Sequence, residues 1–141
     1  EPVESLEAAL PRADFVTLHC PKSQATTGLI GARQLALMKP TAFVINTARG
    51  GIVDETALVD ALAHKRIAGA GLDVIEGEPE VPEAIAAEPR VILTPHIAFS
   101  SAASIADLRR RACGEILRVL RGGQPLEARN QPDFTTRASA G

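Results

Sequence analysis

Tryptophan and tyrosine are absent from the 141-residue sequence, and phenylalanine occurs only four times, so aromatic side chains supply little of any core. The two cysteines, Cys20 and Cys113, are too few for a disulfide scaffold. Neither a Cys-x-x-Cys nor a His-x-x-x-His spacing occurs, which argues against a metal site. No apolar run approaches the roughly 18 residues that a membrane-spanning helix needs, so we expect no membrane partner.

Neither sign of charge is in excess, because 15 Lys and Arg stand against 17 Asp and Glu and leave a formal net charge of −2. A dedicated nucleic-acid binder would usually be basic, so we expect no nucleic-acid partner. The sequence shows no secretory signal pattern, and its few cysteines suit a reducing compartment, so we expect a cytoplasmic location. The 45% hydrophobic and 23% charged residues are typical of one globular domain or part of one.

Four short apolar segments predict β-strands, and none of them alternates polar with apolar residues. Continuous apolar runs of this length are typical of strands buried on both faces of a parallel sheet. The predicted strands are Phe15–His19, Ala42–Asn46, Ile67–Leu72 and Val91–Thr94.

Helical periodicity separates these strands. It predicts helices over Ala32–Met38, over Glu55–His64 with Asp54 as N-cap, and over about Ser101–Arg121, while Ser5–Leu10 is interpreted as the remainder of an earlier helix. Strands alternating with helices predict an α/β fold, in which right-handed crossovers build a parallel sheet with flanking helices.

Polar residues follow each predicted strand. Ligands of open parallel sheets bind outside the carboxyl ends of the strands, so these side chains predict a site at one sheet edge. In chain order they are His19, Cys20, Arg49, Asp73, Glu78 and His96.

Each of these residues has a functional and a structural interpretation. Arg49 precedes two glycines and can grip a carboxylate or phosphate with two hydrogen bonds, or it can cap a turn or pair with Asp54. His96 can exchange a proton near neutral pH, or it can be structural. Glu78 or Asp73 can hold its ring and keep it protonated, although Glu78 also fits a solvated loop carboxylate.

Cys20 next to His19 has the residue types of a nucleophile and its base. No nucleophile-turn or oxyanion-hole motif accompanies the pair, so a hydrolase is a weak alternative. We favour the interpretation of Cys20 as a small residue at a strand end.

Four ordered sequence blocks together resemble the D-isomer-specific 2-hydroxyacid dehydrogenases, a family that includes phosphoglycerate dehydrogenase and the hydroxypyruvate/glyoxylate reductases. The resemblance covers about residues 5–128, and four blocks in order are far more specific than any one of them. The blocks are Ala13–Pro21 with Thr26–Ile30 and Met38–Pro40, Val44–Glu55, Ala70–Pro79 and Leu93–Ala98.

The resemblance implies an oxidoreductase that transfers a hydride between NAD or NADP and a 2-oxo or D-2-hydroxy acid. It implies that Arg49 binds the substrate carboxylate, that His96 is the acid/base, and that Glu78 keeps His96 charged. The cofactor contacts that it implies are Cys20, Thr47, Ala48, Arg49, Asp73, His96 and Ala98.

The family's Gly-x-Gly-x-x-Gly turn, which seats a pyrophosphate on a helix N-terminus, is missing. The resemblance therefore implies a Rossmann-like second half of a dinucleotide-binding domain over 1–128, with an irregular tail over 129–141 and activity only within a longer chain. The Phe15–His19 strand would then lack a neighbour, which favours self-association, and the family implies a homodimer. Phe99 stands where the family usually has a small residue. The alternative is a non-catalytic remnant that serves as a dimerisation or interaction module.

Overall fold

A computed structural model describes residues 2–126 and 128 of the chain. The chain divides into two compact units, Glu1–Ala98 and Phe99–Gly141. The first unit carries a β-sheet with short helices, and the second carries one long helix. The irregular tail predicted over 129–141 lies outside the described residues.

The sheet has four strands, all parallel, which lie side by side in the order of the sequence. Each observed strand lies within one of the four predicted segments, and the predicted α/β fold is confirmed. The strands are β1 (Phe15–Leu18), β2 (Phe43–Asn46), β3 (Gly69–Leu72) and β4 (Val91–Leu93).

Short helices connect the strands of the first unit. The bounds are α1 (Leu6–Ala9), a 3-10 turn (Leu10–Arg12), α2 (Ala32–Leu37), α3 (Glu55–Ala63) and α4 (Glu83–Ala86). The predicted N-cap of α3 is confirmed, because the Asp54 carboxylate accepts a hydrogen bond from the Ala57 N–H at 3.0 Å. Helix α4 escaped prediction because four residues are too few to show a helical period.

One face of the sheet forms the core. Strand register places Leu18, Asn46, Leu72 and Leu93 in one row on this face, next to a second row that contains Val44. These side chains pack with buried residues of the helices and loops. The largest of those partners are Leu10, Ile30, Leu35, Ile52, Leu58, Leu62, Ile67 and Ile85.

The opposite face of the sheet stays open, so the expectation that every strand is buried on both faces is wrong. Phe15 is 66% exposed and Ile92 is 74% exposed, on the two edge strands β1 and β4. The rings of Phe15 and Phe43 stack on this face with centroids 5.6 Å apart. The apolar composition of the strands predicted that both faces of the sheet are buried. The core of the first unit instead lies on the face opposite Phe15 and Ile92.

The second unit contains α5 (Ala102–Leu120), which begins and ends within one residue of its predicted bounds. The Ser101 hydroxyl accepts a hydrogen bond from the Ser104 N–H at 3.0 Å and caps the first turn. No residue of α5 is buried: among its apolar side chains, those of Leu108 and Ile116 are exposed and those of Ile105 and Val119 are half-buried. Over residues 2–126 and 128, none of the helices combines the length and the apolar character needed to cross a membrane.

Replacing Gly69 by Ala is expected to lower the free energy of unfolding by about 1–3 kcal/mol, the usual cost of overpacking. A Cβ at Gly69 would lie 2.7 Å from the backbone oxygen of Arg90 and 2.9 Å from the Phe43 ring. Gly71→Ala is the matched control on the same strand and face, because its Cβ would meet Ile45 at 3.8 Å, an ordinary contact. Equal stability of the two variants in urea denaturation would contradict this packing.

Candidate active site

Asp73 follows β3 directly and is buried, with 4% of its surface exposed. Its carboxylate accepts hydrogen bonds from the Thr94 hydroxyl, from the Ile97 N–H at 3.0 Å and from the Ala98 N–H at 2.9 Å. The Asp73 backbone oxygen also accepts the His96 N–H at 2.9 Å. These bonds hold the segment after β4 against the end of β3.

The pKa of the Asp73 carboxyl lies below its ordinary value. Burial raises this pKa, but the hydrogen bonds from Thr94, Ala98 and Ile97, with the nearby His96, lower it by more. Asp73 is therefore ionised at neutral pH, and its negative charge is what the converging donors stabilise.

His96 lies in the left-handed backbone region, with φ at 54°, which is uncommon for a residue other than glycine. Its N–H donates to the backbone oxygens of Asp73 at 2.9 Å and of Thr94 at 3.0 Å. Since surrounding bonds must hold such a conformation in place, the Asp73 contacts fix where the imidazole stands.

Glu78 binds the His96 ring, as predicted for the pair. His96 Nδ1 lies 2.7 Å from Glu78 Oε2, and Glu78 Oε1 accepts the Ile75 N–H at 2.9 Å. The hydrogen bond from His96 and then that from Ile75 lower the pKa of Glu78. Because the carboxylate is ionised and can only accept, Nδ1 carries a proton and Nε2 is the nitrogen that can exchange one.

Arg49 lies in the loop that follows β2, and buried Asn46 holds this loop. The Asn46 side chain donates to the Arg49 backbone oxygen at 2.9 Å and accepts the Ala48 N–H at 3.1 Å. The guanidinium is exposed and donates to the Ala48 backbone oxygen at 2.7 Å. The surrounding cleft, of about 520 Å³, is lined by His19, Pro21, Lys22, Thr47, Ala48 and Arg49.

Glu78 and His96 border a second cleft, of about 300 Å³, whose other walls are mainly apolar. A direct backbone contact links the loops that border the two clefts. A Cβ at Gly50 would lie 2.0 Å from the Ile75 oxygen, so only glycine allows this approach. Ile75 in turn donates its N–H to Glu78, so the Arg49 loop packs on the residue that orients the His96 partner.

The other predicted contact residues are distributed between these places. Thr47 and Ala48 line the Arg49 cleft, and Ala98 binds Asp73 through its N–H. Cys20 is half-buried and packs against the core. The His19 ring bonds the Thr17 hydroxyl at 2.9 Å, which leaves the Cys20 nucleophile interpretation without support.

Two residues of the site were not singled out by sequence reasoning. Thr94 could have been found from strand register, because Leu72 pairs with Leu93 and Asp73 and Thr94 are the residues that directly follow that pair. Lys22 carries no local motif, and only the fold brings it into the Arg49 cleft. Over residues 2–126 and 128, no group of three His, Cys, Asp or Glu side chains is placed to hold a metal ion.

Asp73→Asn is expected to lower the free energy of unfolding by about 1–3 kcal/mol at neutral pH, because an amide nitrogen would face buried donors. Asp14→Asn is the control, since that carboxylate is exposed and accepts a hydrogen bond from the Lys39 ammonium at 2.8 Å. Because the folded-state pKa of Asp73 is depressed, its contribution is complete well above 3.8 and is lost as pH falls through the lower folded value. Urea denaturation of all three proteins from pH 7 to 3 checks this. A loss of unfolding free energy in Asp73→Asn that is no larger than in Asp14→Asn, or that grows as pH falls, would contradict this role of the Asp73 carboxylate.

The family model for the NAD binding domain of D-isomer specific 2-hydroxyacid dehydrogenases matches residues 1–98. D-3-phosphoglycerate dehydrogenase of Synechocystis sp. is 42% identical over 130 residues, which are 92% of this chain and 24% of that protein. Glycerate dehydrogenase of Methylorubrum extorquens is 48% identical over 99 residues, which are 68% of this chain and 32% of that protein. The chain thus spans about a quarter to a third of these relatives.

Solved structures agree with the observed fold. The NADPH-dependent glyoxylate/hydroxypyruvate reductase of Sinorhizobium meliloti, in complex with NADP and malonate, superposes with a TM-score of 0.81 at 34% identity, over 89% of this chain and 42% of that one. The NAD-complexed D-isomer specific 2-hydroxyacid dehydrogenase of Lactobacillus delbrueckii ssp. bulgaricus superposes with a TM-score of 0.78 at 37% identity, over 86% of this chain and 42% of that one. With the matched family model, the parallel sheet and the four sequence blocks, these similarities place the chain in the D-isomer specific 2-hydroxyacid dehydrogenase family, within its NAD-binding domain.

Proposed function

We propose that this chain provides the acid/base and carboxylate-binding part of an NAD- or NADP-dependent oxidoreductase that interconverts 2-oxo acids and D-2-hydroxy acids. The observation that carries the proposal is the 2.7 Å contact between His96 and an ionised Glu78 at the carboxyl edge of the sheet. An imidazole held by a carboxylate is suited to general acid–base catalysis.

The residues present suit a dinucleotide in part. The Arg49 cleft offers hydroxyl and cationic donors from Thr47, Arg49 and Lys22, which match the anionic and hydroxyl-rich groups of such a cofactor. Asp73 has spare acceptor capacity on Oδ2, which receives a single hydrogen bond from the described residues. We propose that Cys20, Thr47, Ala48, Arg49, Asp73, His96 and Ala98 form this half of the cofactor site.

In the proposed reduction, a nicotinamide cofactor, when bound, would provide the hydride that reduces the substrate carbonyl. Arg49 binds the substrate carboxylate with its guanidinium and thereby fixes which carbonyl lies beside the imidazole. His96 donates its Nε2 proton to the carbonyl oxygen as the alcohol forms, and it accepts that proton in the reverse direction. Glu78 stabilises the imidazolium before transfer and keeps Nδ1 protonated throughout.

We propose that residues 1–128 act as the second half of the dinucleotide-binding domain, and that the complete activity needs segments that these relatives have outside the matched region. No Gly-x-Gly-x-x-Gly turn occurs in the sequence, which supports this division. We further propose a homodimer, because the sheet carries an exposed apolar face at Phe15 and Ile92. Sedimentation that gives a monomer at tens of micromolar protein would exclude the dimer.

His96→Ala in the full-length protein is expected to lower kcat by about 10²–10⁴-fold with glyoxylate or hydroxypyruvate, because it removes the proton donor. The dissociation constant of NADH should change little, since Arg49, Thr47 and Asp73 remain. Glu78→Gln should cause a smaller loss of kcat, because the ring stays but its charge partner is gone.

The matched control is His64→Ala, which breaks another exposed histidine–carboxylate contact, 3.1 Å from Asp60. Its turnover should equal that of the unmodified protein. The kcat of the unmodified protein and of the three variants is measured from the absorbance of NADH by stopped flow. Unchanged kcat in His96→Ala would overturn the assignment, and binding of NADH without turnover of any 2-oxo acid would favour the non-catalytic interpretation.

A further inference from the structure

Lys22 lines the same cleft as Arg49, although it comes from the loop after β1 rather than from the loop after β2. Its ammonium lies directly over Gly51, where a Cβ would be only 2.5 Å from Nζ. Gly51 has φ at +76°, in the left-handed region that favours glycine. The glycine therefore both permits the turn and leaves room for the lysine head group two residues from Arg49.

The charged side chains that line this cleft, Lys22 and Arg49, are both cationic. Lys22 Nζ pairs with Glu76 Oε1 at 3.0 Å, whereas no carboxylate pairs with Arg49 within residues 2–126. Two permanent cations therefore line the cleft together with the His19 ring, while the carboxylates near Lys22, those of Glu76 and Glu55, lie outside its lining. Such a cleft attracts anions, and a single carboxylate ligand on Arg49 would leave Lys22 still available to a second anionic group.

The ion pair between Lys22 and Glu76 is one that an anionic ligand can displace. The Lys22 side chain is 40% exposed and that of Glu76 is 65% exposed, and ion pairs this open are weak. The Glu76 backbone is held independently, because its N–H donates to the Glu55 carboxylate. Glu76 can therefore release the ammonium without loss of the loop.

We propose that Lys22 forms, with Arg49, an anion subsite that binds a phosphate oxyanion of the ligand, with Glu76 as the competing intramolecular anion. The inference deepens the proposed oxidoreductase function and rests on it for the identity of the ligand. A lysine ammonium is a common point-charge partner of phosphate. The phosphate belongs either to the dinucleotide cofactor or to a phosphorylated 2-oxo acid, and the experiment separates these sources.

The test compares three variants of the full-length protein with the unmodified form. Lys22→Met removes the charge and Lys22→Arg keeps it, while Glu76→Gln removes only the competing anion. Lys39→Met is the matched control, because Lys39 pairs with Asp14 at 2.8 Å and its side chain is 37% exposed, but it precedes β2 at the opposite edge of the sheet. Melting temperatures confirm that each variant is folded.

Calorimetry with inorganic phosphate and with NADH measures binding, and kcat/KM is compared between 3-phosphohydroxypyruvate and hydroxypyruvate. Lys22→Met should weaken phosphate binding by roughly tenfold or more, as expected for loss of a charge-assisted hydrogen bond. Lys22→Arg should retain most of the affinity and Glu76→Gln should increase it, whereas Lys39→Met should change nothing. A parallel loss for NADH identifies the cofactor as the source, and a loss confined to 3-phosphohydroxypyruvate identifies the substrate.

If Lys22→Met and Lys39→Met have equal dissociation constants for phosphate and NADH and equal kcat/KM values for both substrates, the proposed subsite is wrong. If hydroxypyruvate is still reduced in that case, the proposed oxidoreductase function stands without it. Conversely, Lys22-dependent phosphate binding in a protein that reduces no 2-oxo acid would support the subsite and contradict the proposed function.

Discussion

The hydrogen bonds that converge on buried Asp73 are the constraint on which the rest of the candidate site depends. An ionised carboxylate in the interior needs donors, and the segment after β4 supplies them from Thr94, Ile97 and Ala98. Those bonds, with the Asp73 backbone oxygen, impose the left-handed conformation of His96. The position of His96, the proposed acid/base after β4, is therefore set by the charge of Asp73 at the end of the neighbouring strand β3.

Close backbone contacts also link the loops that follow β2 and β3 at the same edge of the sheet. Gly50 packs on the Ile75 backbone, and the Ile75 N–H fixes Glu78 beside the imidazole. Gly51 in turn makes room for Lys22 in the cleft of Arg49. The Arg49 cleft and the His96 cleft are thus separate spaces, and the loops that border them are in contact through Gly50 and Ile75.

Sequence patterns predicted the four strands, because strands of a parallel sheet are typically continuous apolar runs. They also indicated that Arg49, Glu78 and His96 follow β2, β3 and β4, but not that Arg49 and His96 line different clefts. They did not predict the open sheet face at Phe15 and Ile92, since an apolar run does not reveal which neighbour covers it. The hydrogen bonds to Asp73 depend on the register of β3 and β4. The position of Lys22 beside Arg49 depends on how the loops after β1 and β2 fold toward each other. Those are long-range properties that no local motif encodes.

We propose that ionised Glu78 fixes the proton of the neutral His96 ring on Nδ1 and leaves Nε2 as the nitrogen that exchanges a proton. Nitrogen-15 NMR of the imidazole, with the signal assigned by comparison with His96→Gln, tests it directly. In the neutral ring we expect the proton on Nδ1 and none on Nε2. A neutral ring that carries its proton on Nε2, or one in which the proton exchanges between the two nitrogens, would contradict this assignment.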